Sequence, residues 1–197
     1  MGIRGRKVKR PAIFLDRDGT IIHQVELLHK FSQMRLFADA AKSIKIFNDL
    51  GYLVVIITNQ PVVARGVMTP KEVENIHMLL SERLRKRGAR IDAFYFCPHH
   101  PKANIKKYRV VCDCRKPAPG MILKATKEHT IDLKKSFLIG DSTQDVAAGN
   151  RARVKTILLK TGHGGKDPWQ YAGKADFTSK DLSGAARIIG RLSRHSV

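Results

Sequence analysis

The sequence has few acidic residues and few aromatic residues. Seventeen Asp and Glu stand against 37 Lys and Arg, which gives a formal net charge of +20 at pH 7. Such a charge attracts phosphate-rich partners, from nucleic acids to small anions. Aromatic residues make up only 7% of the chain, so side chains that could stack on bases are scarce. We therefore interpret the charge as a generally basic surface, and nucleic acid as a partner that is not favoured.

The sequence also lacks a long apolar run. No stretch approaches the roughly 20 residues that a membrane-spanning helix needs. The basic segment 1–10 is not followed by the apolar region and cleavage site of a secretory signal. We expect a soluble, cytoplasmic protein with no membrane insertion. Its 197 residues suffice for one core, so we expect a single domain over 1–197, with a basic N-terminal extension at 1–10, and a monomer.

Short apolar runs alternate with segments of helical spacing along the chain. The runs predict strands at Ala12–Leu15, Leu53–Ile57, Ala93–Phe96, Ser136–Ile139, Thr156–Leu159 and Ala175–Phe177. The helical spacing predicts helices at Ala38–Leu50, Pro70–Arg87, Gly120–His129, Thr143–Arg151 and Asp181–Leu192. This alternation predicts an α/β fold with a doubly wound, mainly parallel sheet. Two long segments, His23–Leu36 and Cys97–Gly120, are expected to be functional loops.

Two aspartates, Asp16 and Asp18, directly follow the first predicted strand. Carboxylates this close repel each other unless a cation lies between them, and Mg²⁺ prefers oxygen ligands. In a parallel sheet, chemistry gathers at the carboxyl ends of the strands. Polar residues near the other strand ends supply further parts of such a site: Thr58, Asn59, Lys116, Asp141 and Asp145. Any one of these could be an ordinary surface residue, but their coincidence favours a magnesium-dependent phosphate site, with Asp145 ordering its loop.

All three cysteines fall in one segment, 97–114. Cys97, Cys112 and Cys114, together with His99, could form a closed tetrahedral set for a structural Zn²⁺. His100 is the alternative imidazole ligand and ranks behind His99. Three free cysteines, or one disulfide with a cysteine left over, are the other interpretations. The odd number of cysteines argues against a disulfide framework.

The aspartate, Thr-Asn, lysine and second aspartate motifs resemble, in order and over almost the full length, those of the haloacid dehalogenase (HAD) superfamily. This resemblance implies a HAD-like Rossmann fold with a minimal cap and phosphatase activity. It makes Asp16 the nucleophile that accepts the phosphoryl group, and Asp18 the acid and base. Thr58 and Lys116 would hold phosphoryl oxygens. Asp141, with Asp16 and the backbone carbonyl of Asp18, would bind Mg²⁺.

Longer segments resemble a narrower family. "PAIFLDRDGTI", "TNQ", "ARG", "CPHHP" and "CDCRKP" are similar to the D-glycero-D-manno-heptose 1,7-bisphosphate phosphatases, with the histidinol-phosphate phosphatases as close relatives. The resemblance implies release of the 7-phosphate from a small sugar phosphate, on the pathway to lipopolysaccharide or surface-layer sugars. Substrate contacts would come from Asn59, Gln60, Arg65 and Arg115.

The chain departs from the heptose family at three places: residues Gln24–Leu27, Pro61 and Ser142, where the family commonly has other residues, including a lysine in place of Ser142. Histidinol phosphate and the 3′-phosphate of a nucleic acid therefore stay open as substrates, and a non-catalytic basic binding module is the alternative from another class. His163, Gly164 and Gly165 are interpreted as a simple surface turn, with a flexible rim of the active site as the alternative that ranks behind it.

Overall fold

A six-stranded parallel sheet lies at the centre of the structure, a computed structural model that describes residues 8–194. Its strands are β1 (Ala12–Leu15), β2 (Leu53–Asn59), β3 (Ala93–Cys97), β4 (Phe137–Gly140), β5 (Lys155–Leu159) and β6 (Phe177–Ser179), in the order β3-β2-β1-β4-β5-β6. Each neighbouring pair is parallel. The prediction of a doubly wound parallel sheet is confirmed. The single domain stays a prediction, and residues 1–7 of its basic extension lie outside the described residues.

Six helices connect or follow the strands: α1 (Ala40–Asp49), α2 (Pro61–Ala64), α3 (Pro70–Arg85), α4 (Gly120–His129), α5 (Thr143–Ala152) and α6 (Leu182–Arg194). Five of them match predicted helices within two residues at either end. The short α2 was not predicted, because its four residues carry no helical periodicity. None of the helices among residues 8–194 is both long enough and apolar enough to cross a membrane.

Both faces of the sheet are buried. On β1, Ile13 and Leu15 point into one core cluster, while Ala12 and Phe14 point into a second. A parallel sheet covered on both sides needs apolar residues at successive positions, which explains why β1 is a continuous apolar run. Polar residues on these strands consequently lie near the strand ends, where the sequence predicts the phosphate site.

The last strand begins two residues later than predicted. Asp176 lies inside the predicted strand Ala175–Phe177, but its side chain accepts hydrogen bonds from the backbone N and Oγ1 of Thr156, at 2.7 and 2.9 Å. These side-chain hydrogen bonds take the place of backbone pairing at the start of β6, so the backbone hydrogen bonds between β5 and β6 begin at Phe177, opposite Ile157.

Candidate active site

A pocket of about 270 Å³ opens at the carboxyl ends of β1, β2 and β4. The strands end at one edge of the sheet, so motifs far apart in the sequence meet there. The pocket is lined by every residue that the sequence assigned to phosphate chemistry or substrate contact: Asp16, Asp18, Thr58, Asn59, Gln60, Arg65, Arg115, Lys116 and Asp141.

Three buried carboxylates form a cluster at the pocket, and two of them, Asp16 and Asp141, line it. Oxygens of Asp16, Asp141 and Asp145 all lie within 4.8 Å of one another. Burial, opposed in part by Lys116, raises the pKa of Asp16 to about 7. Burial and then the charge of Asp16 raise the pKa of Asp141 to about 8. Ionised carboxylates in this setting need more positive charge than Lys116 provides, so the donor set fits a divalent, oxygen-preferring cation such as Mg²⁺.

Lys116 is the cation at the centre of this cluster. Its Nζ lies 2.8 Å from Asp16 Oδ1 and 2.6 Å from Asp145 Oδ1, and it donates to the carbonyl of Ile57 at 3.1 Å. Burial disfavours the ammonium charge, but Asp145 and Asp16 together outweigh burial and raise the pKa of Lys116. Lys116 therefore stays charged and holds Asp16 in a fixed position.

Asp145 orders the fourth motif, as the sequence predicts. Its Oδ2 accepts from the backbone N of Ser142 at 3.1 Å and from Ser142 Oγ at 2.5 Å. Its Oδ1 is engaged by Lys116. Because both oxygens have protein partners, Asp145 is less available to a metal ion than Asp16 and Asp141.

Asp18 stands apart from the carboxylate cluster. Arg17 Nη2 lies 2.9 Å from Asp18 Oδ2, and Gln60 Nε2 donates to the same oxygen at 2.9 Å. Gln60 Nε2 also donates to Thr58 Oγ1 at 2.8 Å. The two motif aspartates thus have different partners, an ammonium for Asp16 and a guanidinium with an amide for Asp18, which gives them different chemical environments.

Asn59 fixes the backbone of Lys116. Its Oδ1 accepts from Lys116 N at 3.0 Å, and its Nδ2 donates to Lys116 O at 3.1 Å. Sequence reasoning assigned Asn59 and Gln60 to substrate contact. The structure places both in the pocket wall with their amides engaged by protein groups.

The turn after β5, interpreted from sequence as a surface turn, is part of the pocket wall. The backbone N of His163 donates to Asp141 Oδ2 at 2.6 Å. The His163 ring lies 3.1 Å from Gln24 Nε2 and edge-on to Trp169, with centroids 5.8 Å apart. The preceding Gly162 has φ +53°, and a Cβ there would collide with the Asp141 carboxylate. The glycines around residue 163 were the available signal for this close approach.

Positive charge surrounds the outer part of the pocket. Arg65, Arg115 and His100 line it, and Arg115 Nη1 donates to the carbonyl of His99 at 3.0 Å. Burial, then the charges of Arg115 and Arg65, lowers the pKa of His100. The lowered pKa keeps the His100 imidazole neutral, and a neutral imidazole can donate a hydrogen bond to a bound anion.

A second candidate metal site lies beside the pocket. Cys114 Sγ is 3.1 Å from Cys97 Sγ, 3.2 Å from Cys112 Sγ and 3.3 Å from His99 Nδ1. Ligands of a tetrahedral zinc site lie about 3.5–4 Å apart, given bonds of about 2.0–2.3 Å. The hydrogen bond shared with Cys97 lowers the pKa of Cys114 to about 5, so a thiolate is available. All three cysteines are free, and His99, not His100, belongs to the cluster.

Comparisons with known proteins agree with this geometry. A HAD-hydrolase-like family model matches residues 113–185. The D-glycero-beta-D-manno-heptose-1,7-bisphosphate 7-phosphatase of Rhodopseudomonas palustris is 43% identical over 146 residues, which are 74% of this chain and 81% of that protein. The alpha-anomer 7-phosphatase of Photorhabdus laumondii is 39% identical over 81% of this chain and 87% of its own.

A similar solved structure is a D,D-heptose 1,7-bisphosphate phosphatase from B. bronchiseptica, complexed with magnesium and phosphate. It is 27% identical, covers 92% of this chain and 99% of its own, and has a TM-score of 0.81. The identity to the curated relatives, spread over most of both chains, is accompanied by the same fold. The chain is therefore a phosphatase of the HAD superfamily and belongs to the family of the heptose-1,7-bisphosphate 7-phosphatases.

Proposed function

We propose that this chain removes the 7-phosphate of D-glycero-D-manno-heptose 1,7-bisphosphate through an aspartyl-phosphate intermediate. One observation carries the proposal: Asp16, Asp18, Lys116 and Asp141 converge in a single pocket of a chain that belongs to this family. The relatives' names supply the substrate, and the pocket supplies groups suited to the chemistry.

In the first step, a carboxylate oxygen of Asp16 attacks phosphorus, and the bond between phosphorus and the sugar oxygen breaks. The leaving alkoxide takes a proton from Asp18, which Arg17 and Gln60 hold away from Asp16. In the second step, Asp18 takes a proton from water as that water attacks phosphorus. The acyl phosphate bond breaks, inorganic phosphate leaves, and both carboxyl groups return to their starting states.

Charge neutralisation accounts for the remaining residues. Asp16, Asp141 and the carbonyl of Asp18 would hold Mg²⁺, which when bound supplies positive charge to the transferring phosphoryl group. Lys116 keeps Asp16 in place and adds an ammonium beside the same oxygens. The Thr58 hydroxyl already accepts from Gln60, so its own hydrogen is available to a phosphoryl oxygen.

The outer pocket suits the second phosphate of a bisphosphate. Arg65, Arg115 and His100 all line the pocket, and the two arginines are close enough for their charges to lower the pKa of His100. The sugar would contact the wall formed by Gln24, Val25 and Glu26, closed by His163 and Trp169. Relatives named for the alpha and for the beta anomer are similarly close to this chain, so both anomers belong in the test.

We also propose that Cys97, His99, Cys112 and Cys114 hold a structural Zn²⁺. Four ligands leave no open position for a substrate. Because Cys114 is followed by Arg115 and Lys116, closing this site would fix the start of the segment that carries both pocket cations.

The test is phosphate release by the purified protein with Mg²⁺. The substrates are both anomers of the heptose bisphosphate, histidinol phosphate and a 3′-phosphorylated oligonucleotide, and the control is Asp16→Asn, whose amide cannot attack phosphorus. We expect a clear preference for a heptose bisphosphate and no turnover by Asp16→Asn. Preference for another ester would overturn the substrate assignment, and an active Asp16→Asn would overturn the mechanism.

A further inference from the structure

The arginine between the two motif aspartates is buried and held from two sides. Arg17 is only 1% exposed. Its Nη2 donates to Asp18 Oδ2 at 2.9 Å and to Gln60 Oε1 at 2.8 Å, and its Nε lies 3.2 Å from Asp18 Oδ2. Its other terminal nitrogen, Nη1, lies 3.2 Å from Nε2 of His77. The guanidinium thus links the proposed acid and base to a histidine that does not line the active-site pocket.

His77 is held in place from its other side by aromatic rings. It lies on α3, is 3% exposed, and stacks on Phe94 with centroids 4.8 Å apart and planes 13° apart. Phe96 meets the ring edge-on at 5.8 Å. Rings packed in this way leave the imidazole little freedom to rotate.

The hydrogen bond fixes the protonation of His77. A guanidinium has only donors, so Nε2 must accept, and the ring proton lies on Nδ1. Burial, and then the charge of Arg17, lowers the pKa of His77 to about 3, so the ring is neutral at ordinary pH. His77 therefore acts as a hydrogen-bond acceptor rather than as an acid or base.

We propose that His77 is a positioning residue for the reaction, which orients the acid and base Asp18 by holding Arg17. The inference rests on the proposed function, since it needs Asp18 to protonate the leaving group. It adds a residue 60 positions away in the sequence to the catalytic apparatus.

Removal of the acceptor leaves one arm of a buried guanidinium without its partner. Such a group seeks new partners, and reorientation of Arg17 would release Asp18 from its fixed position. Lys116 bonds to Asp16 and Asp145, and Asp141 bonds to the 163 turn, so neither depends on Arg17 or His77. Arg17 contacts Asp18 through the side-chain carboxylate, not through the carbonyl proposed for Mg²⁺, and it reaches Thr58 only through Gln60. The loss should therefore appear in proton transfer to the leaving group and not in binding.

The experiment compares His77→Phe, which keeps an aromatic ring but removes the acceptor, with His77→Gln, whose amide oxygen can accept from Arg17. Phe94→Leu is the matched control, because it disturbs the same packing and leaves the acceptor in place. Each variant is assayed on two esters. One is the heptose bisphosphate, an alkyl phosphate, and the other is p-nitrophenyl phosphate, whose leaving group needs no proton. Thermal unfolding and zinc content are measured alongside.

We expect His77→Phe to lower kcat and kcat/KM for the alkyl ester by ~10-fold or more, part of the 10²–10⁴-fold that a positioned acid supplies, with little change in KM. The loss should be smaller on p-nitrophenyl phosphate, and His77→Gln should recover most of the activity. An equal loss on both esters without rescue by His77→Gln, or undiminished alkyl-ester activity in a folded His77→Phe, overturns the proposal. If His77→Phe does not fold, His77→Leu answers the same question with a smaller side chain. Inactivity of the wild-type protein on every ester, or activity of Asp16→Asn, would instead count against the proposed function.

Discussion

Raising the pH without added magnesium should destabilise this protein. In the metal-free site the pKa of Asp16 is raised by burial to about 7 and that of Asp141 to about 8, from an ordinary value of 3.8. Between these limits the folded state keeps protons that the unfolded chain has released. Stability from this source is fully present below the ordinary pKa and is lost as pH rises towards the folded-state values.

The expected magnitude follows from proton linkage. Each proton that only the folded state retains changes the free energy of unfolding by about 1.4 kcal/mol per pH unit. For one retained proton, the interval from about pH 5 to about pH 7 costs about 3 kcal/mol, which lowers the Tm of a domain of this size by roughly 6–12 °C. Retention of both protons steepens the slope.

The assay is thermal unfolding across this pH range, with and without Mg²⁺, in buffers that contain no chelator so that zinc is kept. Mg²⁺ needs both carboxylates ionised, so its binding displaces these protons, and the gain in Tm on adding Mg²⁺ should grow with pH. Asp141→Asn is the matched variant. It should be more stable than the wild type at about pH 8 without Mg²⁺, show a flatter pH slope, and gain little from Mg²⁺.

A Tm that stays level or rises over this range without Mg²⁺ would refute the reasoning, because it would mean that the carboxylates are ionised in the metal-free protein. Loss of zinc cannot imitate the predicted trend. Protons compete with zinc for the thiolates at low pH, so zinc loss would lower the Tm at the acid end of the range. Zinc content measured at each pH separates the two effects.

Three further predictions concern single residues. Gly162→Ala should raise the Mg²⁺ concentration needed for half-maximal activity by at least ~10-fold, because the new Cβ meets the Asp141 carboxylate. Gly164→Ala is the control. Gly164 also has a left-handed backbone but lies away from that carboxylate, so this substitution should mainly lower stability. Cys112→Ser should lower zinc content and Tm together, and a variant that loses zinc but keeps its Tm would contradict the structural role. Asp167→Asn replaces one of the two buried carboxylate oxygens that accept 2.6 Å hydrogen bonds from Thr143, at the start of α5. It should cost about 1–3 kcal/mol in denaturant unfolding, and an unchanged midpoint would argue against that anchor.

Much of the site could be predicted because its residues lie next to strand ends. Asp16 follows β1, Thr58 is the last residue but one of β2, and Asp141 follows β4, so parallel pairing alone brings them to one edge. The cluster of three cysteines and His99 could equally be predicted, since its four residues share one segment. In both cases the residues that could bind a ligand or metal are recognisable from short segments of sequence, and the fold has to bring only a few elements together.

Other features depend on packing that no local pattern encodes. The pairing of Arg17 with His77 needs the approach of α3 to the first loop, and His77 alone reads as an ordinary helical residue. The start of β6 was misplaced because Asp176 pairs with Thr156 through side-chain hydrogen bonds and not through the backbone ladder of the sheet. The role of Asn59 was also hidden, since a residue type that suits substrate contact is equally able to clamp the backbone of Lys116.

Ser142 shows how one departure from the family changes the balance of charge in the site. The resemblance to the heptose family leads us to expect a lysine at this position, but the serine found here is buried and donates to Asp145. Lys116 is shared between Asp16 and Asp145, so the remaining negative charge of the carboxylates needs a divalent cation to balance it. In the proposed function, Arg65 and Arg115, which also line the pocket, would supply the positive charge for the anionic substrate. Catalysis would then depend on Mg²⁺ to neutralise the carboxylates, so turnover should fall steeply when magnesium is limiting, even where the substrate is saturating.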